Sequence, residues 1–130
     1  MANVLTPSAR STLVKVGTIA RTDNGTVKFG LPKGAFISGI YVIQTVAAST
    51  AAATVDIGIT GDTDGLVNDF SMGTTSVGYS TGGAATGSAV GTVLTSDVDV
   101  VVTYSAGSST AGGTGYFKVE YYMPPSGESY

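Results

Sequence analysis

Four of the chain's seven aspartates lie within eighteen residues, in the stretch VDIGITGDTDGLVNDFSM at positions 55–72. Calcium binds where several oxygen ligands surround one loop. If Asp62 is the first ligand of an EF-hand-like loop, Asp64 stands correctly at the third position. The fifth position, the glycine position and the closing glutamate position of that loop are then Leu66, Val67 and Gly73. The spacing therefore favours two strands joined by a polar turn, and we expect no metal site and no cofactor.

A simple hairpin in this stretch leaves one conflict. With Thr60 opposite Gly65, Asp56 lies directly opposite Asp69, and like charges opposite each other destabilise a sheet. The conflict disappears if the strands pair differently or if the turn crosses from one sheet to another. It is also removed by a cation, or by a basic side chain of a partner, between the two carboxylates. The sequence leaves these arrangements open.

The chain contains no histidine and no cysteine. These absences remove the commonest general base, thiolate zinc sites and disulfides. Asp97 and Asp99 have the residue types of a two-carboxylate hydrolase, but solvated charges on one strand explain them better. No glycine-rich segment ends in the GK[ST] of a phosphate-binding loop. We therefore expect that the protein is not an enzyme and has no catalytic or cofactor-binding residues.

The elements that carry these residues show apolar positions with a period of two, which is typical of antiparallel strands with one buried face. In TVDIGIT, Val55, Ile57 and Ile59 share one side. STLVKVGTIA and AFISGIYVIQT alternate less cleanly, which indicates strands with both faces partly covered. The predicted strands span residues 12–20, 26–31, 35–45, 53–60, 66–72, 89–95, 98–105 and 114–123.

This pattern predicts an all-β fold, namely a single-domain antiparallel β-sandwich that is jelly-roll-like, with about eight strands and extended termini. The domain spans residues 12–123, between an N-terminal arm (1–11) and a C-terminal tail (124–130). Asn24-Gly25 predicts a tight hairpin between the first two strands. The predicted core is Val27, Phe29, Ile40, Val42, Val55, Ile57, Ile59, Val100, Val102, Phe117, Val119 and Tyr121.

Charged residues make up only 12% of the chain, and the net charge is −3. This charged share is about half of that in an average soluble domain. It indicates that another protein, such as further copies of the chain, covers part of the surface, and the alternative is a monomer that Ser and Thr keep in solution. The six basic residues form no cluster dense enough to follow a phosphate backbone, so we expect no nucleic-acid partner. The uncharged segment 34–55 is long enough to cross a bilayer, but its polar residues favour a strand and loop, and we expect no membrane contact.

Five of the six basic residues fall within the first 33 positions. This basic part of an acidic chain is a candidate for meeting an acidic partner, because complementary charge steers docking. Terminal aromatic side chains gain from burial against a neighbour. The candidate partner-contact residues are Arg10, Lys15, Arg21, Lys28, Lys33, Tyr122 and Tyr130.

The segment ATVDIGITGDTDGLVNDFSMG resembles stretches of capsid decoration (cement) proteins of tailed bacteriophages, and the bias toward Ala, Gly, Thr and Val is similar. The resemblance covers about twenty residues and carries no site residue over. It implies a jelly-roll-like domain that is assembled in the host cytoplasm and forms a homotrimer. It further implies a structural virion protein that binds the major capsid protein lattice on the capsid exterior, at symmetry axes, and stabilises it.

A second function remains open, that of a carbohydrate- or receptor-binding β-sandwich module of a phage fibre or cell-surface assembly. Sugar sites use exposed aromatic platforms with polar groups nearby. Tyrosine is equally common at protein interfaces. The candidate platforms are Tyr41, Tyr79, Tyr104, Tyr116 and Tyr122.

Overall fold

The computed structural model describes residues 12–50, 52–73, 78–81 and 87–123. These residues form eight strands. They are β1 (Leu13–Ile19), β2 (Asn24–Leu31), β3 (Phe36–Val46), β4 (Thr54–Ile59), β5 (Asp62–Ser71), β6 (Gly78–Thr81), β7 (Val98–Ser105) and β8 (Thr114–Tyr122). The arm, the tail and the two contact candidates within them, Arg10 and Tyr130, lie outside the described residues.

The strands form two antiparallel four-stranded sheets, which confirms the predicted β-sandwich. The first sheet has the order β1-β8-β3-β6 and the second has the order β2-β7-β4-β5. Successive strands therefore mostly lie in opposite sheets, as in the two interlocked Greek keys of a jelly roll. The uncharged segment 34–55 contains all of β3 and the start of β4. The described residues include no helix that is long and apolar enough to span a membrane.

The core lies between the sheets and contains nine of the twelve predicted residues in buried positions. Phe29 and Ile59 are partly buried and pack against it. Val27 was predicted wrongly, because its side chain is 55% exposed. Val27 pairs with Val101 and Phe29 pairs with the next residue, Val100, so a bulge absorbs the residue between them. An extra residue in one strand reverses the alternation of faces, which turns Val27 outward while Phe29 faces the core.

Three local predictions also need correction. Asn24-Gly25 does not close a hairpin, because β1 pairs with β8 and β2 with β7, and the dipeptide lies at a bulge of β2. Strand β5 begins four residues before the predicted 66–72, because Gly61, at φ 85°, closes a two-residue turn. Segment 89–95 is a turn followed by an isolated bridge between Val93 and Phe36 rather than a strand.

One ion pair stabilises the connection between β1 and β2. The carboxylate of Asp23, 5% exposed, accepts hydrogen bonds from Lys28 Nζ at 2.9 Å and from the backbone N–H of Ala20 at 2.8 Å. Removing one partner of a buried pair leaves the other charge uncompensated. We expect Asp23→Ala to lower the free energy of unfolding by about 3 kcal/mol in urea denaturation. Asp99→Ala, which removes an exposed carboxylate, is the control and should change it by less than about 0.5 kcal/mol. Equal effects of the two substitutions would contradict this assignment.

Candidate interaction surface

The outer face of the first sheet is largely apolar, although it points away from the core, and its polar positions include the exposed Thr18 opposite Tyr116. Its outward side chains come from β1, β8 and β3, where Val16 lies opposite Lys118 and Lys118 opposite Tyr41. Phe36 and Tyr122 pair at one end, with their ring centroids 6.3 Å apart. We call this surface the apolar face and define it by Val14, Val16, Phe36, Tyr41, Ile43, Tyr116, Lys118, Glu120 and Tyr122.

The two charges on the apolar face neutralise each other. Lys118 Nζ lies 3.6 Å from Glu120 Oε2 and also sits over the Tyr41 ring, 4.9 Å from its centroid. The face therefore carries no net charge among the described residues. Five of its side chains count among the exposed large hydrophobic residues, with Val16 the most exposed at 59%. A continuous apolar patch of this kind marks an interaction site more often than a bare solvent surface.

The outer face of the second sheet has the opposite character. On β7, the outward positions are Asp99, Val101, Thr103 and Ser105, between buried Val100, Val102 and Tyr104. On β4, the outward positions opposite them include Asp56, which pairs with Thr103. Aspartate, threonine and serine dominate this surface, so the chain presents one neutral apolar sheet face and one acidic polar sheet face.

The aspartate-rich stretch avoids the conflict between Asp56 and Asp69 by pairing in another register. Val55 lies opposite Phe70 and Ile57 opposite Val67, so an extra residue on β5 bulges out beside Asp56. Asp69 adopts a left-handed backbone conformation with φ 55°, and its N–H donates to Asp56 Oδ1 at 2.7 Å. The carboxylate of Asp56 thus accepts a backbone hydrogen bond where the simple hairpin would have faced it with a second charge.

The two remaining aspartates of the stretch, Asp62 and Asp64, lie at the start of β5. A side-chain hydrogen bond with Asp62 raises the pKa of Asp64, with smaller contributions from desolvation and from the charges of Asp62 and Asp56. Ser88 donates to Asp62 Oδ2 at 3.3 Å. Within the described ranges, no group of three or more carboxylates is close enough to hold a metal ion.

From this geometry we expect calcium to leave the protein's stability unchanged. Ligands that bind only the native state raise the melting temperature by mass action, so a calcium site would be detected by a thermal scan. The melting temperature in chelator and in millimolar calcium should agree. The Asp62→Asn/Asp64→Asn double variant is the control, because any calcium effect at this site must vanish in it. A rise of several degrees with calcium in the wild-type protein alone would overturn the expectation.

Three of the basic contact candidates make contacts within the chain. Lys15 Nζ donates to the carbonyl oxygen of Gly30 at 2.8 Å and so links the edges of the two sheets. The guanidinium of Arg21 donates to the carbonyl oxygen of Ser109 at 3.1 Å. Lys28 forms the ion pair described above. These three side chains are thus engaged within the chain, and their contact with a partner stays a prediction.

The other described contact candidates lie toward one end of the sandwich. Lys33 is exposed in the turn between β2 and β3. Tyr122 is 37% exposed on the apolar face. Val14, Val16 and Phe36 were not among the candidates, although their strands were those whose alternation predicted two partly covered faces. That mixed alternation was the available signal for the apolar face.

A cleft of about 620 Å³ opens at the edge of the sandwich beside β2. Asp97 Oδ1 accepts a hydrogen bond from the backbone N–H of Lys33 at 2.8 Å, so this carboxylate caps a turn. No aromatic side chain belongs to the described lining, which therefore offers no platform for a sugar ring. The cleft is lined by Lys15, Gly30, Leu31, Pro32, Thr60, Asp97, Val98 and Asp99.

Comparison with known proteins yields a likeness of fold. The chain is similar to a chain in a solved structure of the cyanophage Pam1 capsid asymmetric unit, with a TM-score of 0.64 and 19% sequence identity. The superposition covers 88% of this chain and 86% of that chain. No family model and no curated protein matches the sequence. At this identity, the likeness supports the sandwich architecture itself.

Proposed function

We propose that this chain is a structural protein of a bacteriophage virion, which forms a homotrimer and binds the outer surface of the capsid to stabilise it. The observation that carries the proposal is the fold. A jelly roll of this strand order superposes over 88% of its length on a chain of a phage capsid asymmetric unit. Both chains are nearly fully covered, so the comparison concerns one whole domain in each.

The surface of the protein supports an assembling role. The apolar face extends over three neighbouring strands, and the largest apolar patch of a protein surface is often functional. The low charged fraction of 12% points the same way. A subunit that is packed against other proteins in an assembly needs few surface charges, because most of its surface is not exposed to solvent.

The proposal gives the chain no catalytic role and needs no cofactor. The partners are other copies of the chain and the major capsid protein lattice, and the location is the exterior of a virion assembled in the host cytoplasm. Lys33 is the described basic candidate most available to an acidic shell, because it is exposed and lies outside the ion pair and hydrogen bonds of Lys15, Arg21 and Lys28.

A carbohydrate- or receptor-binding module is the second candidate. Tyr41, Tyr116 and Tyr122 share the apolar face, and exposed tyrosines are able to stack against sugar rings. Tyr104 does not serve this purpose, because it is only 8% exposed. Binding on a glycan array that is lost in Tyr116→Ala would favour the module over the capsid protein.

Cosedimentation tests the proposed function. Purified protein is mixed with capsids of the encoding phage from which this protein has been removed, and in parallel with dissociated shell subunits. We expect the protein to pellet with the assembled capsids and to stay soluble with the subunits, because only the lattice presents all docking positions together. Protein that stays in the supernatant with assembled capsids would refute the proposal.

A further inference from the structure

We infer that the apolar face is the surface through which copies of this chain contact one another, three copies closing around a common axis. The inference rests on the homotrimer of the proposed function and assigns the surface that builds it. Two observations choose a second copy as the occupant of the face: its charge and its position at the sheet edge.

Charge favours a second copy because the chain as a whole is acidic. Two copies with a net charge of −3 each repel one another over most approaches. On the apolar face, Lys118 and Glu120 cancel each other, so two such faces meet without a charge penalty. The other sheet presents Asp56 and Asp99 outward, and a contact between two copies there would bring like charges together.

The position of the exposed valines points to a contact that reaches across the sheet edge. Strand β1 is an edge strand of the first sheet, and Val14 and Val16 project from it onto the apolar face. Apolar side chains on an open edge strand are an aggregation hazard for a monomer. A neighbouring copy that covers β1 removes this hazard.

The area of the face limits the strength of a contact between two copies. Strands β1, β8 and β3, at about 4.8 Å spacing and about 3.3 Å per residue, offer roughly 300–400 Å² over seven residues. A stable contact between two proteins buries about 800 Å² on each side, so one contact of this size is weak. In a ring of three, the β1 side of each face meets the β8–β3 side of the next, so each copy buries its face in two smaller contacts and leaves the ring only when both contacts break. A repeated head-to-tail contact closes into a ring when its rotation permits and forms an open filament when it does not.

The chain offers a matched pair of substitutions to test the inference. Val16 and Val27 are both exposed valines on strands, at 59% and 55%, but they lie on the outer faces of different sheets. Val16→Glu places an unpaired charge on the proposed contact, and Val27→Glu places the same charge outside it. Tyr116→Glu tests the β8 side of the same face. All three positions are exposed, so the variants should fold, which circular dichroism and thermal melting verify.

Sedimentation equilibrium of the purified proteins, without capsids, gives the readout. We expect a trimer for the wild type and for Val27→Glu, and a monomer for Val16→Glu and Tyr116→Glu. A wild-type monomer or dimer at every concentration, or a trimer that survives Val16→Glu, would overturn the inference. Because no capsid is present, this failure is separate from that of the proposed function, which cosedimentation tests.

Discussion

Replacing Phe117 with alanine is expected to lower the free energy of unfolding by about 3–5 kcal/mol, the largest loss for any single core truncation in this chain. Phe117 is fully buried on β8, between β1 and β3, and its ring stacks on Phe29 with centroids 5.7 Å apart. Its removal takes away the largest fully buried side chain among the described residues and leaves a cavity between the two flanking strands. Urea denaturation followed by circular dichroism measures the loss.

Gly17 supplies the test of this explanation. A Cβ added at Gly17 would lie 2.6 Å from two ring atoms of Phe117, so the glycine makes room for the ring. Gly17→Ala alone should cost about 1–3 kcal/mol through overpacking. In the Phe117→Ala background the clash with the ring is gone and only the contact with Lys28 Cβ at 3.2 Å remains, so the alanine should cost much less, since glycine is itself unfavourable in a strand. Losses that simply add in the double variant would show that Phe117 and Gly17 do not share this contact.

Periodicity predicted most of the architecture because burial of one sheet face imposes it directly. The residues of β4 and β7 alternate cleanly, and their predicted inward side chains, such as Val55, Val100 and Val102, are all buried. Eight strands with turn residues between them are enough to indicate a sandwich. The pairing order of the strands depends on contacts between distant segments, which a local pattern does not contain.

Bulges account for one clear error and answer one question that the sequence left open. A single extra residue between Val27 and Phe29 turned a predicted core side chain outward. A second bulge on β5 gave Asp56 a backbone N–H donor, from Asp69, where the simple register had placed a second carboxylate. Neither bulge has a local sequence signal, because each is set by how a strand fits its partner.

The candidate surface was only partly predictable. The less clean alternation of β1 and β3 indicated two partly covered faces, and Tyr122 was named as a contact candidate. The sequence did not indicate that β8 lies between these two strands, which is what joins Val16, Tyr116 and Phe36 into one face. The basic residues of the N-terminal third suggested a docking surface. In the structure, Lys15, Arg21 and Lys28 form hydrogen bonds or an ion pair within the chain.

Capsid stabilisation is the second large effect that we expect. A ligand that binds an assembled lattice but not its separated subunits stabilises the lattice by mass action. A trimer with three docking surfaces gains further, because the second and third contacts form at high effective concentration. Many copies on one particle therefore sum to a large effect even when each contact is weak. A monomeric variant keeps the individual contact but loses this gain.

The disruption temperature of capsids tests this account most directly. Particles lacking the protein are heated alone, with wild-type protein, with Val27→Glu and with Val16→Glu, and genome release is followed by a DNA-binding dye. We expect wild type and Val27→Glu to raise the disruption temperature by several degrees and Val16→Glu to raise it much less. Stabilisation by all three would retain the capsid role and refute the trimer contact. An unchanged disruption temperature with saturating wild-type protein would contradict the central claim that this chain stabilises a capsid.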